Sequence, residues 1–143
     1  MKKFLLKVLL VIWQFPQEII GCFLILMVKG KRKYINVLLP GKQSKYGLVG
    51  VYTVPNLFNS GISLGDYIIF DGRIEISETD VLHEYGHHLQ SRMLGPLYLL
   101  IVGIPSLIGN IYSRIKKKDN KWYYSRFPEN WADKLGGVNR DML

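Results

Sequence analysis

All three histidines of this 143-residue chain fall within six positions, at His83, His87 and His88. Residues four apart on a helix lie one above the other, so His83 and His87 can direct their imidazoles at one metal ion. His88 points about 100° away from His87 and is expected to be a surface or packing residue. The spacing therefore predicts a helix that needs a second part of the chain to complete a metal site.

The residues around the histidines support a helix. Ser77 to Asp80 can cap its start with hydroxyl and acidic groups. Val81, Tyr85 and Leu89 recur at four-residue spacing and give it one apolar face. Gly95-Pro96 ends the pattern, so we predict a helix over about residues 78–93.

Glu84 follows the first histidine of the pair and can act as a general base. Zinc lowers the pKa of a bound water towards ~7 and polarises a carbonyl, and the carboxylate takes the proton of that water.

A catalytic zinc site also needs a third protein ligand. Glu129 is our choice, since it opens a short helix predicted over residues 128–135. Asp133, one turn further, can accept the free ring N–H of a ligating histidine, although Asp133 as the ligand is the alternative.

The pattern His83-Glu84-x-x-His87 with Glu129-x-x-x-Asp133 resembles the gluzincin class of zinc metallopeptidases, including its small membrane-associated bacterial members. The resemblance covers roughly residues 63–136. It implies peptide-bond hydrolysis by a zinc-activated water, with His83, His87 and Glu129 as ligands, Glu84 as the base and Asp133 as the outer partner.

The resemblance has two further implications. A strand near residues 63–71 would form the sheet edge along which an extended peptide pairs. A tyrosine or histidine would stabilise the oxyanion, and the sequence leaves this role open among Tyr112, Tyr123 and Tyr124.

Two apolar stretches suggest contact with a membrane. The first, residues 4–28, is interrupted by Gln14, Pro16, Gln17 and Glu18 and has basic residues at both ends. This favours a retained kinked hairpin or interfacial helix pair over a removed signal sequence. We therefore divide the chain into a hydrophobic membrane-contacting segment, residues 1–33, and a metallopeptidase-like domain, residues 34–143.

The second apolar stretch, residues 93–112, carries no formal charge and is long enough to cross a bilayer. A single crossing would place His83 and Glu129 on opposite sides, so no shared zinc could form. We predict a bent helix pair that packs as core, lies in the membrane interface or re-enters and returns.

The expected fold is α+β with a small antiparallel sheet. Strands are predicted at Tyr34–Leu39, Leu48–Val54, Asp66–Phe70 and Ile74–Ile76, with 56–65 as a loop. The zinc helix, the hydrophobic connection and the short ligand-bearing helix complete the domain.

The net charge of +8 suits an anionic membrane surface. No nucleic-acid-binding motif accompanies the basic residues, so nucleic acid is not an expected partner. We expect a membrane-associated zinc hydrolase with its catalytic domain on the cytoplasmic side, acting on a peptide or protein. The alternative is a membrane-bound binding or scaffold protein with a structural metal site and no turnover. The sequence does not specify an oligomeric state.

Overall fold

Helices make up most of the computed structural model, which describes residues 2–32, 50–58 and 60–140. The elements in chain order are α1 (Lys2–Trp13), α2 (Phe15–Met27), β1 (Lys31–Arg32), β2 (Gly50–Val54), β3 (Gly61–Leu64), β4 (Tyr67–Asp71), α3 (Glu78–Leu94), α4 (Ile104–Ile115), α5 (Asn120–Tyr124) and α6 (Glu129–Gly136). The predicted α+β class is confirmed.

The sheet has the strand order β1-β2-β4-β3 and is mixed. Strand β2 runs parallel to β4, with Gly50 opposite Tyr67, whereas β3 runs antiparallel to β4, with Gly61 opposite Phe70. The prediction of an antiparallel sheet is therefore wrong for its central pair. Within the described ranges, β3 is an edge strand of the sheet.

Two of the predicted strands are present, at β2 and β4. The prediction for 74–76 is wrong, because the chain turns away after β4: the Asp71 carboxylate accepts the Leu57 N–H at 2.8 Å and the Arg73 N–H at 2.9 Å. The strand that pairs with β4 is instead β3, inside the predicted loop. The predicted strand Tyr34–Leu39 lies outside the described residues.

Helix α3 begins where its capping residues predict. Ser77 Oγ accepts the Asp80 N–H, and Asp80 in turn accepts the Ser77 N–H, which forms a capping box. Val81 and Tyr85 pack on Ile68 and Phe70 of β4 to form the buried core of the described part. The apolar face of α3 is thus fixed on the sheet, and its opposite face is left for the site.

Helices α1 and α2 meet at a 90° bend, as a kinked pair would. The polar residues near the bend contact α3: Gln17 Nε2 donates to Ser91 Oγ at 2.9 Å and to the Gly95 carbonyl at 2.8 Å. Ser91 Oγ donates to Gln14 Oε1 at 2.6 Å. These buried amides attach the apolar helices to the domain, and we call this contact the polar joint.

The second apolar stretch is helical almost throughout. A 3-10 turn, Gly95–Leu97, and a π-helical segment, Leu99–Gly103, lead directly into α4. Tyr98 and Val102 are buried, while much of the outer face is exposed. No single described helix has the length and hydrophobicity to cross a membrane, and only the bent α1–α2 pair reaches that threshold, as a pair.

Candidate metal centre

Helices α3 and α6 are in direct backbone contact. A Cβ atom on Gly86 would lie 1.9 Å from the Ala132 carbonyl oxygen, and a Cβ on Gly136 would lie 2.0 Å from that of Leu82. Only glycine allows this approach, because any other residue would force the helices apart. The sequence pattern assigned neither glycine a role in helix contact.

This contact brings His83, His87 and Glu129 together. Glu129 Oε2 lies 3.0 Å from His83 Nε2 and 3.1 Å from His87 Nε2. All three side chains are buried, and their ligand atoms lie within 4.8 Å of one another. The expected convergence of the histidine helix and the Glu129 helix is therefore observed.

The three residues form a group that could hold a metal ion. Two ligands, each about 2.0–2.1 Å from a tetrahedral ion, are about 3.3 Å apart, close to the two nitrogen–oxygen distances found here. Within the described residues, Glu129 Oε1 is buried and has no hydrogen-bond partner. A buried carboxylate oxygen without a donor is unfavourable unless a cation satisfies it.

A second layer of contacts fixes the histidine rings. His83 Nδ1 lies 2.6 Å from Asp133 Oδ1, and Arg140 Nε donates to the other Asp133 oxygen at 2.6 Å. His87 Nδ1 lies 2.7 Å from Gln90 Oε1. With each Nδ1 held in this way, each Nε2 faces the shared centre. Gln90 was missed, although its position three residues after His87 on the same helix face was a usable signal.

The carboxylates of the group favour a positive charge beside them. Burial lowers the pKa of His83, but its hydrogen bonds to Asp133 and Glu129 outweigh burial and raise it to about 9. Burial raises the pKa of Glu129, but its bonds with His83 and His87 outweigh burial and hold it well below its usual range. Glu129 therefore stays anionic, and the positive charge beside it comes from His83 or from a bound cation.

Glu84 faces a cavity of about 870 Å³ that is also lined by His83, His87 and Glu129. Its side chain is buried, burial raises its pKa, and Oε2 has no hydrogen-bond partner in the described part of the chain. A Cβ on Gly61 would lie 2.8 Å from Glu84 Oε1, so β3 passes directly beside this carboxylate.

Of the three candidate tyrosines, Tyr123 and Tyr124 line the cavity. Burial and the Glu129 charge raise the pKa of the Tyr123 hydroxyl, which lies 3.5 Å from the Ser106 carbonyl oxygen. The Tyr124 ring packs edge-on against His83, with 5.0 Å between centroids. Tyr112 stacks on Trp122 and does not line the cavity.

His88 has a packing role, as expected. It is fully buried, its Nδ1 lies 2.7 Å from the Gly65 carbonyl oxygen, and its ring stacks on Tyr85. It joins α3 to the turn between β3 and β4 and is not part of the group of His83, His87 and Glu129.

Comparison of this chain with protein-family models, with curated proteins and with solved structures gave no match. The site combines a buried group of two imidazoles and one carboxylate with a second, unpartnered carboxylate, and both border one cavity.

Proposed function

We propose that this protein is a zinc-dependent hydrolase, a membrane-associated metallopeptidase in which Glu84 is the general base. The observation that supports this most directly is the buried carboxylate of Glu84, whose Oε2 has no hydrogen-bond partner among the described residues, in the cavity that borders His83, His87 and Glu129. A buried carboxylate beside a possible metal site and facing a substrate-sized space is suited to proton transfer.

The residues of the site would have different roles in hydrolysis. When bound, zinc supplies a Lewis acid that lowers the pKa of water and polarises a carbonyl. Glu84 Oε2 accepts a proton, and its raised pKa suits it to return that proton to the leaving amine. Asp133 and Gln90 keep the ligand rings in one orientation.

Tyr123 is the residue best placed to stabilise negative charge on a carbonyl oxygen. Its hydroxyl is on the Glu129 side of the cavity, and Ser106 restrains it from α4. Burial and the nearby Glu129 charge raise the pKa of Tyr123 far above its usual value, so the hydroxyl keeps its proton and remains a donor.

A peptide fits the strand that borders the site. The unpaired edge of β3 within the described sheet can accept an extended chain by main-chain hydrogen bonds. Because Gly61 has no side chain, a bound peptide on this edge would pass close to Glu84.

The alternative is a scaffold protein with a structural metal and no turnover. Structural zinc sites are usually closed by four protein ligands. Within the part of the chain that the structure describes, three candidate ligands meet here, and the group borders an open cavity. This arrangement favours the hydrolase.

The test compares the wild-type protein with Glu84→Gln, with Glu78→Gln as the matched control on the exposed first turn of α3. We expect stoichiometric zinc in all three by metal analysis. Hydrolysis of a quenched fluorescent peptide library should fall about 10²–10⁴-fold in Glu84→Gln alone, because only this variant loses the proton acceptor. Bound zinc without hydrolysis by the wild-type protein would support the scaffold instead.

A further inference from the structure

Helix α4 lines the cavity with polar side chains and with two apolar ones. Leu107 and Ile111 line the cavity and are nevertheless 60% and 49% exposed. On the other side of the opening, Phe58 is 75% exposed and Ile62 on β3 is 37% exposed. The mouth of the cavity is therefore bordered by apolar side chains that point into the surroundings.

The apolar mouth continues into a larger apolar surface along the same helical run. Its other exposed members are Leu97, Leu100, Ile101, Ile104, Ile108 and Ile115. At its start, this run meets the apolar helices α1 and α2: a Cβ on Gly95 would lie 2.2 Å from the Trp13 ring, and Gln17 holds the Gly95 carbonyl. We call the exposed faces of α1, α2 and residues 97–115 the apolar surface.

Basic and aromatic residues lie at the end of this surface. Arg114 and Lys116 to Lys118 flank Ile115, the last exposed isoleucine of the run, and Arg114, Lys117 and Lys118 also line the cavity. Tyr112 stacks on Trp122, with the Arg126 guanidinium 4.4 Å above the Trp122 ring. Apolar side chains next to cations and interfacial aromatics match the hydrocarbon, headgroup and anionic layers of a lipid surface.

We propose that the apolar surface rests on an anionic membrane and that the substrate is an apolar polypeptide segment held at the surface of the same membrane. The substrate assignment rests on the proposed hydrolase function, whereas the membrane contact does not. The membrane-facing side of α4 carries the rim of the cavity, so a segment leaving the lipid surface enters between α4 and β3. A hydrophilic peptide in solution would have to pass the same apolar rim.

The membrane contact is tested by flotation of the full chain with vesicles of phosphatidylglycerol and phosphatidylcholine in a ratio of about 1:3, a composition chosen to carry negative charge. Ile108→Glu places a charge on the apolar surface, at a residue that does not line the cavity. Lys134→Gln, exposed on α6, changes the net charge equally.

We expect Ile108→Glu to reduce vesicle binding about tenfold or more, because each buried aliphatic side chain contributes at least that factor. Lys134→Gln should bind like the wild-type protein. Equal binding by all three proteins, or none by the wild-type protein, would overturn the proposal.

The substrate assignment is tested with one peptide library in two forms, free in solution and anchored to the same vesicles by a palmitoyl chain. We expect the zinc-loaded protein to cleave anchored apolar peptides about tenfold faster than free ones, with the advantage lost in Ile108→Glu, whose cleavage of free peptides is unchanged. Cleavage of free peptides with no gain on vesicles would overturn the substrate assignment and leave the hydrolase standing. No cleavage of either form, with zinc bound, would overturn the hydrolase itself.

Another copy of the chain could cover the apolar surface instead. Sedimentation of the wild-type protein without vesicles distinguishes this occupant. A stable dimer that Ile108→Glu converts to a monomer, together with no vesicle binding by the wild-type protein, would overturn the membrane proposal in favour of self-association.

Discussion

Helix α6 contacts α3 backbone to backbone, whereas α4, which borders the same cavity, packs mainly against the π-helical segment and α5. On the α6 side, Gly86 and Gly136 exclude any intervening side chain, and the polar atoms are tied together by short hydrogen bonds. On the α4 side, a cavity of about 870 Å³ separates the helix from Glu84. The isoleucines of α4 are exposed.

The difference assigns metal binding to the α6 side of the cavity and substrate entry to the α4 side. Metal affinity depends on placing three ligand atoms within tenths of an ångström, which close helix packing can do. Entry of a large substrate needs a wall with few contacts, which α4 provides. Tyr123 connects the two sides, because its hydroxyl interacts with Glu129 of α6 and lies near Ser106 of α4.

The largest expected effect comes from Gly86→Ala on the tightly packed side. The new methyl would overlap the Ala132 carbonyl oxygen, so α3 and α6 must separate. We expect a loss of about 3 kcal/mol or more in the free energy of unfolding, measured in urea. Zinc affinity, measured against a competing chelator, should fall more than about 100-fold, because Glu129 moves away from the histidines.

Gly109→Ala on α4 is the matched control. A Cβ there would lie 3.5 Å from the Tyr123 ring, an ordinary contact. We expect unchanged zinc affinity and a gain of about 0.5–1 kcal/mol from helix propensity. Similar results for the two alanine variants would contradict the contrast between the two sides.

An intermediate effect is expected from Asp133→Asn. The substitution removes the anion that orients His83 and leaves Arg140 without its charged partner. Zinc affinity should fall about 10–100-fold with little change in helix content. Asp119→Asn is the control, since asparagine also caps the start of α5 well. Wild-type zinc affinity in Asp133→Asn would show that the ring orientation comes from packing alone.

The smallest effect concerns Glu18, beside the polar joint that attaches the apolar helices to α3. Burial and the neighbouring Asp66 charge raise the pKa of Glu18 from 4.5 to about 7, although the Asp66 N–H bond opposes the shift. The folded protein thus favours the protonated carboxyl. Its contribution to stability is full below pH 4.5 and is lost as the pH rises through about 7.

Glu18→Gln removes this titration and keeps an oxygen that can accept the Asp66 N–H. We expect the fall in melting temperature between pH 5 and pH 8 to be smaller in Glu18→Gln than in the wild-type protein. Exposed Glu75→Gln should behave like the wild-type protein. An unchanged pH dependence in Glu18→Gln would show that the carboxyl is not the titrating group.

The parts of the fold that were predictable carry local signals. Ser77 and Asp80 cap α3, and the four-residue spacing of its apolar side chains marks the core face, so the helix was found. The short α6 was bounded by Pro128 and by Gly137 in the left-handed conformation. The histidine spacing and the carboxylate on a second helix predicted which residues meet.

The parts that were missed depend on tertiary contact. Strand β3 has only four residues, and it is a strand because β4 pairs with it. The parallel pairing of β2 with β4 depends on a connection that no local pattern reveals. Gln14 and Gln17 were taken as interruptions of an apolar stretch, but both side chains hydrogen-bond Ser91 of α3. A polar residue in an apolar helix indicates that a partner exists without identifying it.

The glycine contact between α3 and α6 has a kinetic consequence. Two helices whose main chains touch cannot slide past each other in small steps, because each intermediate position brings a carbonyl oxygen into a neighbouring backbone. The main chain at Glu129 therefore moves away from His83 and His87 only when α6 detaches as a whole. Exchange of a bound ion should then follow the rate at which this C-terminal helix opens, and ion turnover in solution becomes a measure of local unfolding.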